Sequence, residues 1–269
     1  MAENDVYEIY AVRYATRDAK RADHFLDKSS VPNPDGPMPM DYFVWLVTSG
    51  SRTLVVDTGF TEPVGTRRGR RYLRRPADGL KLLDADAAAI DDVIVTHMHY
   101  DHAGTVRDFA KARLHLQEQE LRWVTSGEMF ARGARGSFEV DDVVNIVRGL
   151  YDDRVQLHDG DWEYAPGISV HLIGGHTPGI QVVRVNTHRG AVVLASDTTH
   201  YYENMETGRP FVTTHDAAKV IAGFKTLHRL AESRKHIVPG HDPLVMQRYP
   251  AASTKLQGAV VRLDDEPYY

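Results

Sequence analysis

Short apolar runs alternate with polar segments along the whole chain. Near the start, "YEIYAVRYA" alternates loosely, and "YFVWLVTS" and "TLVVDTG" read as two strands around the turn "SGSR". The intervening "SSVPNPDGPMPM" is rich in Pro and Gly and reads as a loop, long for a simple connection. "DADAAAIDDVIVT" predicts a short helix and then a buried strand from Val93 to Thr96. "GTVRDFAKA" has helical spacing, "RLHLQ" reads as a strand, and "QELRWVTSGEMF" and "DDVVNIVRGLY" read as helices. From Val155 strands dominate: "RVQLHD", "ISVHLIGG", "IQVVRVN" and "AVVLASD". A helix, "HDAAKVIAGFKTLHRLAES", and a strand, "HIVPGHD", precede the tail "GAVVRLDDEPYY".

Strands and helices mix in both halves, and no linker divides them. The reading is one α/β domain over residues 1–269, with strands gathered into sheets and helices outside. "LVVDTG" and "VLASDT" echo each other weakly, each ending a buried strand on an aspartate.

Composition narrows the function. The 269 residues can bury a sizeable core, and a net charge of -5 argues against binding nucleic acid by bulk charge. There is no cysteine, which excludes disulfides, thiolate metal sites and a cysteine nucleophile. A transition metal here must be held by nitrogen and oxygen. The opening "MAENDVYEIY" is acidic and lacks an apolar core, so no signal peptide is expected. No apolar run reaches the roughly 18 residues of a helical membrane span. The expected location is the cytoplasm. "TRRGRRYLRRP", Thr66 to Pro76, fits either a solvated face or an anion-attracting rim or subunit contact.

The densest chemistry lies in "VTHMHYDHAG", which holds His97, His99, Asp101 and His102 within six positions. His97 follows a buried strand, where alternate side chains share a direction, so His97 and His99 can aim at one point. Asp101 and His102 lie where the chain turns into the next helix and can aim at a second point nearby. Further along, "GGHTPG" carries His176, "LASDT" carries Asp197 and "VPGHDP" carries His241. Each sits at a strand end with Gly or Pro nearby, where backbone packs close to a site.

The order His-x-His-x-Asp-His, His in "GHTPG", Asp, then His in "PGHD" resembles the metallo-β-lactamase superfamily, from about Phe43 to Asp242. The resemblance implies an α/β fold, an αββα four-layer sandwich with metals at one edge. It implies one metal on His97, His99 and His176, a second on Asp101, His102 and His241, and Asp197 bridging them. Asp57 would hold a ligand histidine in its tautomer. Such ligands suit two zinc ions, with iron, manganese or cobalt as competitors.

Within the superfamily, the missing cysteine separates the chain from common zinc β-lactamases. His99 separates it from diiron oxygen reductases, which often carry Glu there. The chain is also shorter than the RNA-processing members. "THMHYDHAG", "ARLHLQEQEL", "GGHTPG", "SDTTHYYEN" and "PGHD" look most like the N-acyl-homoserine lactonases. Those enzymes often place Tyr three residues after the bridging Asp; here that position is His200, followed by Tyr201 and Tyr202.

The implied activity is opening of a lactone by a metal-bridging hydroxide. His200 or Tyr201 would contact the carbonyl, and Asp101 would give the proton to the leaving alkoxide. A glyoxalase-II-like thioester hydrolase, a phosphodiester hydrolase and a non-catalytic metal-binding or ligand-binding protein are the alternatives. The arginines between Arg67 and Arg75 could serve an acid-tailed thioester. The expected partner is a small-molecule lactone or ester, not nucleic acid or a membrane; a homodimer stays open. Tyr42, Phe43, Trp45, Met98, Tyr100, Met129, Phe130, Tyr201 and Tyr202 lie near the motifs, as core or as pocket. Met98 and Tyr100 should point away from His97 and His99. The loop from Val31 to Met40 could cover an acyl chain.

Overall fold

A computed structural model of the chain describes residues 6–269; the acidic opening, residues 1–5, lies outside them. The first sheet has strands β1 (Glu8–Arg17), β2 (Met40–Thr48), β3 (Thr53–Val56), β4 (Arg71–Tyr72), β5 (Asp92–Ile94), β6 (Arg113–Gln117), β7 (Val155–His158) and β13 (Val260–Arg262). Its order is β13-β1-β2-β3-β5-β6-β7, with β4 paired to β1. The second sheet, ordered β12-β11-β10-β9-β8, uses β8 (Trp162–Ala165), β9 (Ile168–Leu172), β10 (Gln181–Thr187), β11 (Gly190–Ser196) and β12 (Ile237–Pro239).

The period of two along β2 explains the layering. Phe43, Trp45 and Val47 join a cluster with Val170, Val183 and Leu194 of the second sheet. Their neighbours Tyr42, Val44 and Leu46 enter the cluster on the opposite face. That outer face is covered by α2 (Pro76–Lys81) and by α6 (Val140–Tyr151), which supplies Ile146. The second sheet's outer face is covered by α8 (Ala217–Leu230) through Val220, Phe224 and Leu227. The result is the expected αββα sandwich. Trp45 is fully buried at its centre, and truncating such a side chain costs about 3–5 kcal/mol.

The two sheets are tied along one edge. Gln181 donates its backbone N–H to the Thr96 carbonyl at 3.0 Å and its side-chain amide to the Val95 carbonyl at 2.9 Å. Thr96 Oγ1 and Ser196 Oγ meet at 2.8 Å. No helix among the described residues is long and apolar enough to cross a membrane.

Several expected elements differ. "GTVRDFAKA" forms only a 3-10 turn at Val106–Asp108, and the helix is instead α3 (Tyr100–Ala103). Thr105 leaves the helical path because its N–H goes to Thr58 Oγ1 and its hydroxyl to the Thr58 carbonyl. Gly104 packs against backbone there; a Cβ would lie 2.4 Å from the Tyr100 carbonyl oxygen. The expected helix before β5 shrinks to a 3-10 turn at Ala87–Ala89. Strands β8 and β13 and helices α7 (Tyr202–Thr207) and α9 (Leu244–Arg248) were not anticipated. The outer strand β8 forms a tight hairpin with β9, whereas the last strand β13 needs a partner from the start of the chain, β1, to form.

Candidate metal centre

All the expected ligands converge at the edge where the strands end. The loop after β5 brings His97 and His99, and α3 carries Asp101 and His102. His176 follows β9, Asp197 follows β11, and His241 follows β12. Asp57 follows β3 with φ 60°, and Ser196 before Asp197 has φ 44°. Such left-handed non-glycine residues cluster where surrounding structure fixes a site. Gly240 lets the His241 turn close in: a Cβ there would lie 2.6 Å from Asp197 Oδ1 and 2.7 Å from the Ser196 carbonyl carbon.

Two sets of ligand atoms result. His97 Nε2, His99 Nδ1 and His176 Nε2 lie 3.0, 2.9 and 3.1 Å from one another. His102 Nε2 and His241 Nε2 approach Asp101 Oδ2 at 3.8 and 3.7 Å. Asp197 stands between the sets. Its Oδ2 faces His176 Nε2 at 3.3 Å and His97 Nε2 at 3.9 Å. Its Oδ1 faces His241 Nε2 at 2.9 Å and His102 Nε2 at 3.4 Å.

Hydrogen bonds on the far side of the rings set the tautomers. His102 donates Nδ1–H to Asp57 at 2.7 Å, His241 donates to the Asp41 carbonyl at 2.8 Å, and His176 to the Thr213 carbonyl at 2.5 Å. Each leaves an Nε2 lone pair facing inward. Asp57 is in turn fixed by the Thr96 N–H at 2.7 Å and the Thr96 hydroxyl at 2.8 Å.

The donor set fits cations. Converging nitrogen lone pairs at about 3 Å repel unless a positive charge sits among them. His102 Nε2 and Asp197 Oδ1 are buried without a hydrogen-bond partner of good geometry among the described residues. Burial and neighbouring histidines hold His97 and His99 well below their ordinary pKa, and burial takes His176 down to about 3. These three are neutral at pH 7, as ligands must be. Burial opposes charge on His102, yet Asp197, Asp57 and Asp101 outweigh it and raise its pKa. The second set therefore favours positive charge.

His200 also belongs to this centre. Its Nε2 lies 3.0 Å from Asp197 Oδ2, and its ring stacks on Phe211 at 3.7 Å between centroids. Tyr201 is placed elsewhere: its hydroxyl reaches the Pro39 carbonyl at 3.1 Å and His24 Nε2 at 3.1 Å. Tyr202 lies under the Arg248 guanidinium, 3.9 Å from the ring centroid. Phe43 and Trp45 are core, whereas Phe130 is 87% exposed. Met129 is partly buried against the first cluster.

A cavity of about 110 Å³ opens onto the ligands, walled by Arg17, Met40, Tyr42, Arg70 and Tyr100. Tyr100 is buried but lines the same cavity as His99, contrary to the expectation that it points away, because it sits on α3 and not on an extended strand; Met98 is core as expected. An adjoining cleft of about 280 Å³ shares His99 and His176 and is lined by Trp123, Val212 and His215. Of the Pro-rich loop, Met40 reaches the cavity, while Pro37 to Pro39 line an outer groove with Tyr201 and Tyr202.

Two residues with no sequence signal support the centre. Buried Glu120 accepts the Met98 N–H at 3.0 Å and the Gly179 N–H at 2.8 Å, tying two ligand loops together. His24, buried in the early loop, donates to or accepts from Tyr201 and meets the Met38 carbonyl at 2.8 Å.

Comparison with known proteins identifies the family. The pattern described as Metallo-beta-lactamase superfamily matches residues 38–257. The chain belongs to the metallo-β-lactamase superfamily. An N-acyl homoserine lactonase from a Bacillus species is 25% identical over 236 residues, covering 81% of this chain and 88% of the relative. N-acyl homoserine lactonase AiiB from Rhizobium rhizogenes is 29% identical over 218 residues, covering 74% and 78%. Among solved structures, an N-acyl homoserine lactone hydrolase with N-hexanoyl-L-homoserine at its catalytic metal centre aligns with TM-score 0.73. It is 20% identical, over 90% of this chain and 96% of that one.

Proposed function

We propose that the protein is a dinuclear-metal hydrolase that opens a lactone ring, an N-acyl-homoserine lactone or a related cyclic ester. The observation that carries this reading is Asp197, with one carboxylate oxygen turned to each ligand set. The lactonase relatives, which cover most of the chain, support the substrate class. His97, His99 and His176 would hold one cation, Asp101, His102 and His241 the other, with Asp197 shared. Zinc is the proposed metal, and the cytoplasm the proposed location. Two cations so placed would bring the pKa of a shared water toward about 7 and polarise the scissile carbonyl.

The chain's own groups do the rest. His200 is neutral, since burial lowers its pKa against the pull of Asp197. Its Nε2–H, now on Asp197 Oδ2, is positioned to shift to a carbonyl oxygen gaining negative charge beside that carboxylate. Asp101 faces the cavity, where its carboxylate would take the proton released by the attacking water and pass it to the leaving alkoxide. The cleft beside Trp123 gives the remainder of the substrate a half-apolar surface.

Asp101→Asn tests the assignment. It should lower kcat on the order of 10²-fold or more while KM changes little. Unchanged turnover at full metal content would remove Asp101 from proton transfer.

A further inference from the structure

The arginine-rich stretch divides between structure and site. Arg67 and Arg68 pair with Glu139 at 2.8 Å each, and Arg75 pairs with Asp108. Arg74 donates to the Arg13 carbonyl. Arg70 differs: it turns inward to the cavity over the ligands. Its Nε donates to the Tyr100 hydroxyl at 3.0 Å and its Nη1 to the Arg68 carbonyl at 2.6 Å. Those two bonds aim the guanidinium and leave its Nη2 free of any partner among the described residues. Arg17, at the end of β1, lines the same cavity and has no hydrogen-bonded partner for its guanidinium among the described residues. Among the described residues neither arginine pairs with a carboxylate, whereas Arg13, Arg21, Arg67, Arg68 and Arg75 each do.

The same cavity holds a third donor. Tyr42 is 1% exposed, lines the cavity, and its hydroxyl has no hydrogen-bond partner among the described residues. The Arg70 guanidinium carbon lies 5.9 Å from the Tyr42 ring centroid. The Tyr42 ring packs edge-on against the ligand His241 at 5.0 Å. Of the acidic groups lining the cavity, Asp101 and Asp197 belong to the metal centre, and exposed Asp23 accepts the Lys20 N–H at 3.1 Å. A buried hydroxyl left unpaired is costly, and the two arginines beside this one are half-buried with charge to spare.

We propose that Arg70, Arg17 and the Tyr42 hydroxyl form an anion subsite, so that the preferred substrate carries a carboxylate in addition to the ester bond that is cut. The proposal rests on the lactone-opening reading and sharpens it: a neutral acyl lactone leaves the subsite empty. A carboxylate there would take charge-assisted bonds from the arginines and one from the tyrosine while its ester lies against the metal ligands. A planar guanidinium fork suits this task better than the compact ammonium of lysine.

The test uses the metal-loaded protein and two matched pairs. One pair is a γ-butyrolactone bearing a ring carboxylate and the same lactone as its carboxamide, compared by kcat/KM. The other is glutarate and its monoamide, compared by calorimetric binding. Hydrogen bonds to charged groups predict a preference for the anion on the order of 10- to 100-fold in each pair. Arg70→Gln and Arg17→Gln should each pull both ratios toward one, and Arg70→Lys should keep part of the preference. Arg17 anchors nothing else, so its variant reports on the subsite even if Arg70→Gln unfolds in a thermal melt. Lactones opened with ratios near one, unmoved by either variant, would overturn the subsite and leave the lactonase reading standing. Arginine-dependent preference for glutarate with no lactone opened would uphold the subsite and remove the lactonase reading. No preference and no opening would remove both.

Discussion

Replacing Asp57 with Asn isolates one proposed metal ligand, His102. Asp57 Oδ2 accepts the His102 Nδ1–H at 2.7 Å and the Thr96 hydroxyl at 2.8 Å, while Oδ1 accepts the Thr96 N–H at 2.7 Å. Asparagine offers one oxygen, and the Thr96 N–H claims it. The amide NH2 then faces His102 Nδ1, which must accept instead of donate. The proton moves to Nε2, the atom that faces Asp101 and Asp197, and the ligand lone pair is lost. Losing such an orienting partner costs about 10- to 100-fold in metal affinity, or about 1.4–2.8 kcal/mol. Backbone strain should not confuse the result, because Asn tolerates the φ of 60° found here. Competition against a chromophoric chelator resolves the two sites. The weakening should fall on the set containing His102, with the set of His97, His99 and His176 close to unchanged. Two sites of undiminished affinity would refute the role of Asp57, and equal loss at both would refute the division into two sets.

Other substitutions probe separate parts of the account. His200→Phe should lower turnover on the order of 10²-fold, whereas Tyr201→Phe should leave it within about twofold and cost about 1 kcal/mol of stability; steady-state kinetics on both decide it, and the reverse order would move the carbonyl contact to Tyr201. Glu120→Gln turns an amide NH2 on one of the two N–H groups that Glu120 now accepts, so the urea midpoint should fall by the equivalent of about 1–3 kcal/mol. Asp142, buried in the first turn of α6, has its pKa pushed up from 3.8 to about 7 by burial and then by Glu139 and Asp141. A raised carboxylate pKa contributes stability in full below 3.8 and loses it as pH rises through about 7. Asp142→Asn should therefore stabilise by on the order of 1–2 kcal/mol at pH 8 and by little at pH 5, and equal unfolding midpoints for variant and parent at pH 8 would contradict this.

The proposed ligands His97, His176, Asp197 and His241 were legible because each follows a strand whose apolar run marks it. "VIVT", "VVLAS" and "HIVPG" are strong local signals, and the chemistry follows directly after them. Asp57 was legible for the same reason. Glu120 was not: a glutamate early in a helix usually faces solvent, and only the approach of Gly179 from another loop buries it. The helix expected in "GTVRDFAKA" failed because Thr58, far off in sequence, competes for the backbone of Thr105. The arginine stretch kept its two readings open until Glu139 and Asp108 were seen to take three of its side chains and the cavity one. Charge pattern alone does not say where each partner lies.

The central claim is that two cations held at this edge make the chain open lactone rings. Ring opening releases one proton per lactone, so a pH-stat on the zinc-loaded protein measures it directly. The account predicts steady acid release from a lactone, its loss on chelation, and its return as about two equivalents of zinc are added back per chain. A protein carrying two zinc ions that leaves every lactone intact while cleaving a thioester or a phosphodiester would contradict it.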